Sequence, residues 1–284
     1  MNSGFDSLSL AIFTTLTPAG VVAFILVAIP LLFFSLDAKE RGLLSHYLVI
    51  PCAFALVGFI ASATHLGSPS NALHVFSGIG RSSLSNEVFF MVIFLVLAGS
   101  YWIFSFKEKV PLFLARLWLG LTCVAGIVLV AMTSFAYSVD TVVTWSSWTT
   151  PVGFWLSALL TGPVIGVLTC FVAQVEVRKY FWVLCGLSLA ALIGGLVLLF
   201  INYESLASIT NYEFSAIDLV PHYLSVIVAY FICGSVGSIC AILSLRKGAN
   251  RKRLLLLVLS SACLLLAVFI LRMTFYAQHM TAGF

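Results

Sequence analysis

Charge is what this sequence has least of. Only 8% of its 284 residues are Asp, Glu, Lys or Arg, where soluble domains carry roughly 25%. So small a supply cannot give an aqueous surface to a protein that is 62% hydrophobic, with mean hydropathy +1.14. A water-soluble enzyme folded around a large cofactor is excluded, and redox chemistry of that kind would have to come from partner subunits. Cysteine patterning is missing too. The seven cysteines, at 52, 123, 170, 185, 233, 240 and 263, contain no CxxC pair. They support neither an iron–sulfur cluster nor a structural zinc, and read as small buried hydrophobes. No basic region precedes the first apolar run, which follows Asp6 and is too long for a cleavable leader. It is expected to remain as a membrane span.

Long apolar runs are abundant. A spanning helix needs about 20 apolar residues. Charge clusters and turn residues divide the sequence into eight such spans, at about 8–34, 44–65, 86–106, 112–136, 152–174, 181–202, 222–244 and 254–276. The expected fold is an all-α integral membrane protein, a single anchor domain over residues 1–284. Thr17-Pro18-Ala19-Gly20 in the first span and Thr161-Gly162-Pro163 in the fifth suggest two four-helix bundles without amounting to a repeat. A Pro inside a span kinks it, and neighbouring groups re-satisfy the freed backbone.

The basic residues lie on one side. Lys39, Arg41, Lys107, Lys109, Arg116, Arg178, Lys179, Arg246, Lys247, Arg251, Lys252 and Arg253 fall at the first, third, fifth and seventh connections. The other face has only Arg81 and Arg272, with Asp6, Glu87, Asp140, Glu204, Glu213 and Asp218. The positive-inside rule makes the basic face cytoplasmic and puts both termini outside. The pI near 8.7 reflects this rim and does not suggest nucleic acid; the expected surroundings are a lipid bilayer.

The outer connections, about 66–85, 137–151 and 203–221, are the longer ones, and four of five histidines (His65, His74, His222 and His279) lie on or beside that face. Ionisable groups at span ends are costly unless they meet water, a partner or a ligand. The segment Ala63-Thr64-His65-Leu66-Gly67-Ser68-Pro69 ends the second span, with Gly67 permitting the turn and Pro69 preventing continuation. Ser85 is expected to cap the third span, with Glu87 in its first turn, where the helix dipole favours a carboxylate. Consecutive helices joined outside bring His65 and Glu87 to one depth beneath the outer interface. Such a pair suits quinol oxidation, which releases two protons and two electrons: the His can hydrogen-bond one hydroxyl and the carboxylate can pass protons to water. The alternative is that His65 caps one helix and Glu87 stabilises the start of another. Tyr137, Asp140, Thr144, Trp145 and Trp148 precede Pro151, and their aromatic members read as an interfacial belt. Arg272 lies near the outer end of the last span, followed by Tyr276 and His279. It is expected either to snorkel to the interface or to pair with Glu87, Asp140 or a ligand oxygen.

HLGSP at 65–69, LSNE at 84–87, DT followed by TW at 140–145, TP at 150–151, GP at 162–163, and R…FY..HMT from Arg272 to Thr281 together resemble, in order and spacing, the membrane-anchor subunit of anaerobic dimethyl sulfoxide reductase. The resemblance implies a bacterial inner-membrane anchor that binds menaquinol without haem, iron–sulfur cluster or molybdenum of its own. It implies electron transfer to an iron–sulfur subunit with four-iron clusters, and from there to a molybdopterin catalytic subunit, which chooses the terminal acceptor. It assigns the quinol site to His65 and Glu87. Gly67, Arg272, Tyr276 and His279 match family motifs and are read as further quinol-binding residues.

Two other functions fit parts of the sequence. A haem b anchor needs two facing histidines from different helices, for which His65 and His222 are the candidates. A secondary transporter would accommodate eight spans and broken helices, but its expected mark is an ionisable residue near mid-membrane, whereas these cluster at span ends.

Overall fold

A computed structural model describes residues 3–64, 69–107, 111–210 and 215–280, with side chains described except at 3–6 and 69–73. Among these residues the protein forms nine α-helices: α1 Ser3–Phe33, α2 Ala38–Tyr47, α3 Val49–Ala63, α4 Ser83–Phe104, α5 Leu112–Ala136, α6 Thr149–Val172, α7 Arg178–Ser208, α8 Tyr223–Ser244 and α9 Asn250–Ala277. Two 3₁₀ segments, Pro69–Gly78 and Ala216–Leu219, lie in the connections before α4 and α8. The only β pairing among the described residues is an isolated bridge between Thr210 and Ser215. Eight segments are long and apolar enough to cross a membrane, α2 and α3 together making one of them, Ala38–Ala63.

The second span breaks at Leu48 for a local reason. Pro51 has no N–H, and its ring displaces the carbonyl four residues earlier, that of Tyr47. The helical register resumes where Cys52 N–H donates to Leu48 O at 3.1 Å. This span also starts earlier than residue 44. Asp37 and Glu40 form a reciprocal capping box, with Glu40 N–H donating to Asp37 Oδ1 at 2.7 Å and Asp37 N–H to Glu40 Oε2 at 3.1 Å.

Burial is uneven. α1 and α6 bury 67% of their most apolar stretch, whereas the second, third, fourth and eighth spans bury 33% or less. α1 is therefore the axis, packed against α3, α5, α6 and α9. The remaining helices turn apolar side chains outward, such as Phe113 at 79% and Val96 at 62% exposure, which suits hydrocarbon as solvent. Small residues permit the close approach of α1 to its neighbours. A Cβ on Gly20 would stand 2.6 Å from Pro51 O and 2.7 Å from Ala55 N on α3. Across the same contact Thr17 Oγ1 donates to Ala55 O at 3.2 Å. On the opposite side, a Cβ on Gly162 of α6 would meet Val22 Cγ1 at 2.6 Å.

The start of α4 differs from the expected cap. Ser82, not Ser85, is the N-cap: its backbone is extended and its side chain accepts from Ser85 N–H at 3.5 Å. The preceding turn fixes this choice. Gly80 adopts φ +80, Ser82 N–H donates to Gly78 O at 2.9 Å, and Asn86 Oδ1 accepts from Gly80 N–H at 2.7 Å. Glu87 therefore sits in the second turn of α4, past the capping N–H groups.

Candidate functional site

Glu87 lies deep between α1, α4 and α5. It is 1% exposed, and its Oε1 has no hydrogen-bond partner among the described residues. Thr133 of α5 stands beside the carboxyl group. Among the described residues Glu87 and Arg272 are the only buried charged side chains, Glu87 near the start of α4 and Arg272 near the end of α9.

Glu87 contributes to the wall of a cavity of about 280 Å³. Leu10 and Phe13 of α1 form one wall, Phe59, Ser62 and Ala63 of α3 a second, and Leu84, Val88, Met91 and Val92 of α4 a third. Val75 and Phe76 of the first 3₁₀ segment and Tyr137, directly after α5, complete it. Ala63 and Leu84 are exposed and rim the cavity on the α3–α4 side. The lining is apolar apart from one carboxylate, one phenol and one serine hydroxyl. Sites for flat, mostly apolar ligands have this composition, with few polar groups to fix orientation. A buried acceptor left without a donor costs about 1–3 kcal/mol or more if charged, so a donor supplied by a ligand would be strongly favoured at Oε1.

Behind Tyr137 stands an aromatic cluster that the belt reading did not anticipate. Tyr137 stacks on Phe154 with centroids 5.3 Å apart and meets Tyr276 edge-on at 5.7 Å. The Tyr276 hydroxyl is 3.2 Å from Thr14 Oγ1. Trp145 is half-buried, stacks on Phe275 at 4.8 Å, and donates its indole N–H to Phe275 O at 3.0 Å. Thr144 Oγ1 donates to Gln278 O at 2.6 Å and Val143 N–H to Met280 O at 3.0 Å. The connection after α5 is thus clamped onto the end of α9 and holds Tyr137 against the cavity. Only Trp148, 61% exposed, keeps the outward position of a belt residue.

Arg272 does not snorkel. It is 2% exposed, and its guanidinium lies over the Phe154 ring, 3.6 Å from the centroid. Its Nε and Nη2 have no hydrogen-bond partner among the described residues. It pairs with neither acid proposed for it: Asp140 is exposed and accepts from Ser146 Oγ at 2.8 Å. Arg272 instead lines a separate cavity of about 50 Å³ with Asn202, Tyr230 and Gln278, polar and roomy enough for water.

The structure thus brings Glu87, Tyr137 and Tyr276 into one neighbourhood, with Arg272 on the far side of Phe154. His279 is exposed and lies edge-on to Trp145 at 5.1 Å. His65 and Gly67 lie outside the described residues; Ser62 and Ala63, just before them, line the cavity. His74 and His222 are exposed, and His46, at the basic face, stacks on Phe106 at 4.3 Å. Among the described residues no group of three or more His, Cys, Asp or Glu could hold a metal ion. Tyr137, read from the sequence as an interfacial belt residue, is buried and lines the cavity; its position at the end of an apolar run was the available signal.

The profile of one protein family, the DMSO reductase anchor subunit (DmsC), matches residues 1–278. The protein is 34% identical over 289 residues to the C subunit of anaerobic dimethyl sulfoxide reductase from Escherichia coli (strain K12), an alignment covering 100% of this sequence and 98% of the relative. It is 34% identical over 291 residues to the YnfH subunit of anaerobic dimethyl sulfoxide reductase from the same organism, with the same coverage. With the C subunit of the Haemophilus influenzae enzyme the identity is 31% over 286 residues, again covering 100% and 98%.

Proposed function

The chain belongs to the DMSO reductase anchor subunit family, and we propose that it oxidises menaquinol at the Glu87 cavity and passes the electrons to an iron–sulfur subunit. The observation that carries this reading is the orphaned Oε1 of Glu87 in an apolar cavity whose rim is exposed. A quinol headgroup supplies what is missing there, a hydroxyl donor on a flat apolar ring.

In this reading one quinol hydroxyl donates to Glu87 and the other to His65. The two hydroxyl protons pass to these groups and then to water at the outer face. The two electrons leave one at a time for the four-iron clusters of the partner, and the quinone departs. A positioned acid–base group typically contributes about 10²–10⁴-fold to such a step. Tyr137 faces the same cavity and orients the ring by its phenol. Tyr276, packed on Tyr137, and Arg272, packed on Phe154, hold that wall. Gly67 and His279 are read as further quinol-binding residues on the strength of the family motifs.

Both termini lie outside in a bacterial inner membrane, as the charge distribution indicates. The iron–sulfur subunit docks on the outer face near the cavity, and a molybdopterin subunit beyond it reduces the acceptor.

Filling the cavity tests the site. Val88→Trp in the assembled complex is expected to abolish the thermal shift produced by a menaquinol analogue. Val96→Trp, on an outward position of the same helix, is expected to leave it intact. Unaltered binding in Val88→Trp would mean that the analogue binds elsewhere.

A further inference from the structure

At the opposite, basic end of the bundle lies a second cavity, of about 380 Å³, between α1, α2, α4 and α5. Three cations from different elements line it: Arg41 of α2, Lys107 just beyond α4, and Arg116 of α5. None of the described acidic residues does. Arg41 spends one donor on Leu31 O, at 3.1 Å, and Lys107 stands 4.6 Å from the centre of the Phe104 ring. Neither contact neutralises charge. Like charges sharing a pocket repel, and the repulsion is larger beside low-dielectric walls than in water. The cavity therefore favours an anion.

The walls identify the kind of anion. Phe104 and Leu112 belong to the lining and are themselves 37% and 44% exposed, continuous with Phe113 at 79% on the outward face of α5. The pocket thus opens onto the surface that meets lipid tails. A free phosphate ion would make no use of that wall, whereas a molecule with an anionic head and hydrocarbon tails uses both parts. Guanidinium groups match phosphate oxygens by paired N–H donors, and basic pockets between spans on this side of a membrane suit such headgroups. We propose that this cavity is a binding site for an anionic phospholipid, its phosphodiester held by Arg41, Lys107 and Arg116 and one acyl tail lying along Phe104 and Leu112. The proposal is independent of the quinol reading.

The test uses the intact, delipidated complex, with phosphatidylglycerol binding followed by native mass spectrometry. The double variant Lys107→Gln/Arg116→Gln removes two exposed cations and should preserve the fold; the mass of the intact complex in the same spectra checks assembly. The control, Arg251→Gln/Lys252→Gln, removes the same charge from the start of α9, away from this cavity. The expected result is retention of phosphatidylglycerol by the wild type and the control, and binding about thirtyfold weaker in the cavity variant. Zwitterionic phosphatidylcholine and inorganic phosphate should compete poorly. Equal weakening in the control would reduce the effect to general basicity and overturn the proposal. So would phosphatidylglycerol binding no better than phosphatidylcholine, or displacement by inorganic phosphate at comparable concentration, which would leave an ion site only.

Discussion

Arg272 and Phe154 form a buried cation–π pair, the guanidinium 3.6 Å from the ring centroid and the arginine 2% exposed. No carboxylate among the described residues accompanies the arginine, so the ring face and the small polar cavity beside it are its surroundings. Such a contact is worth about 2 kcal/mol or more when desolvated. Phe154→Leu keeps an apolar side chain but removes the ring face. It is expected to lower the unfolding midpoint of the detergent-solubilised complex by roughly 4–8 °C, with Phe154→Tyr much closer to wild type. An unchanged midpoint in Phe154→Leu would show that water in the neighbouring cavity, not the ring, compensates the charge.

The approach of α1 to α3 supplies a second expectation. A Cβ at Gly20 meets backbone atoms, Pro51 O at 2.6 Å and Ala55 N at 2.7 Å, which cannot move as a flexible side chain can. Gly20→Leu should separate the helices at a cost of about 1–3 kcal/mol or more and reduce the amount of anchor recovered in the membrane. Gly99, with nothing within 4 Å of its would-be Cβ, is the control, and Gly99→Leu should accumulate normally. Equal accumulation of both variants would contradict the packing.

Some of this architecture was legible in the sequence and some was not, for physical reasons. α5 spans residues 112–136, as its apolar run predicted, because Pro111 and the polar stretch after Tyr137 bound it on both sides. α7 continues to Ser208, past the expected 202, because hydropathy registers where hydrocarbon ends and Asn202-Tyr203-Glu204-Ser205 continue as helix beyond it. The sequence pointed to Ser85 as the cap of α4, whereas the turn closed by Gly78 and Gly80 puts it at Ser82. The roles of Tyr137, Trp145 and Arg272 depend on contacts about 130 residues away in sequence, and composition near each residue carries no trace of them. Glu87 was found as a site candidate from its place near a helix start, although it stands in the second turn and not the first; its burial and orphaned oxygen required the fold.

Orientation is checked by fusions. A reporter active only outside the cytoplasm should work after Phe284 and fail when inserted at Lys247. The reverse pattern would invert the membrane topology and move the Glu87 cavity to the cytoplasmic side.

Docking of the iron–sulfur subunit is checked by crosslinking. Exposed positions on the Glu87 side of the bundle such as His74 and Asp218 should crosslink to it, since the proposed quinol oxidation needs a cluster near the cavity and a specific interface buries about 1,200–2,000 Å² in total. Crosslinks confined to the basic connections would contradict an outer docking face.

The central claim, that Glu87 accepts a proton from quinol, is tested most directly by comparing two electron sources in one variant. Glu87→Gln keeps the shape of the side chain while removing its charge and its capacity to take the proton. In the assembled complex, turnover driven by menaquinol should fall by about 10²–10⁴-fold, and His65→Ala should weaken quinol binding as well. Turnover driven by an artificial donor that reduces the partner subunits directly should remain at the wild-type level. Quinol-driven turnover in Glu87→Gln equal to wild type would contradict the account and leave Glu87 a structural residue of α4.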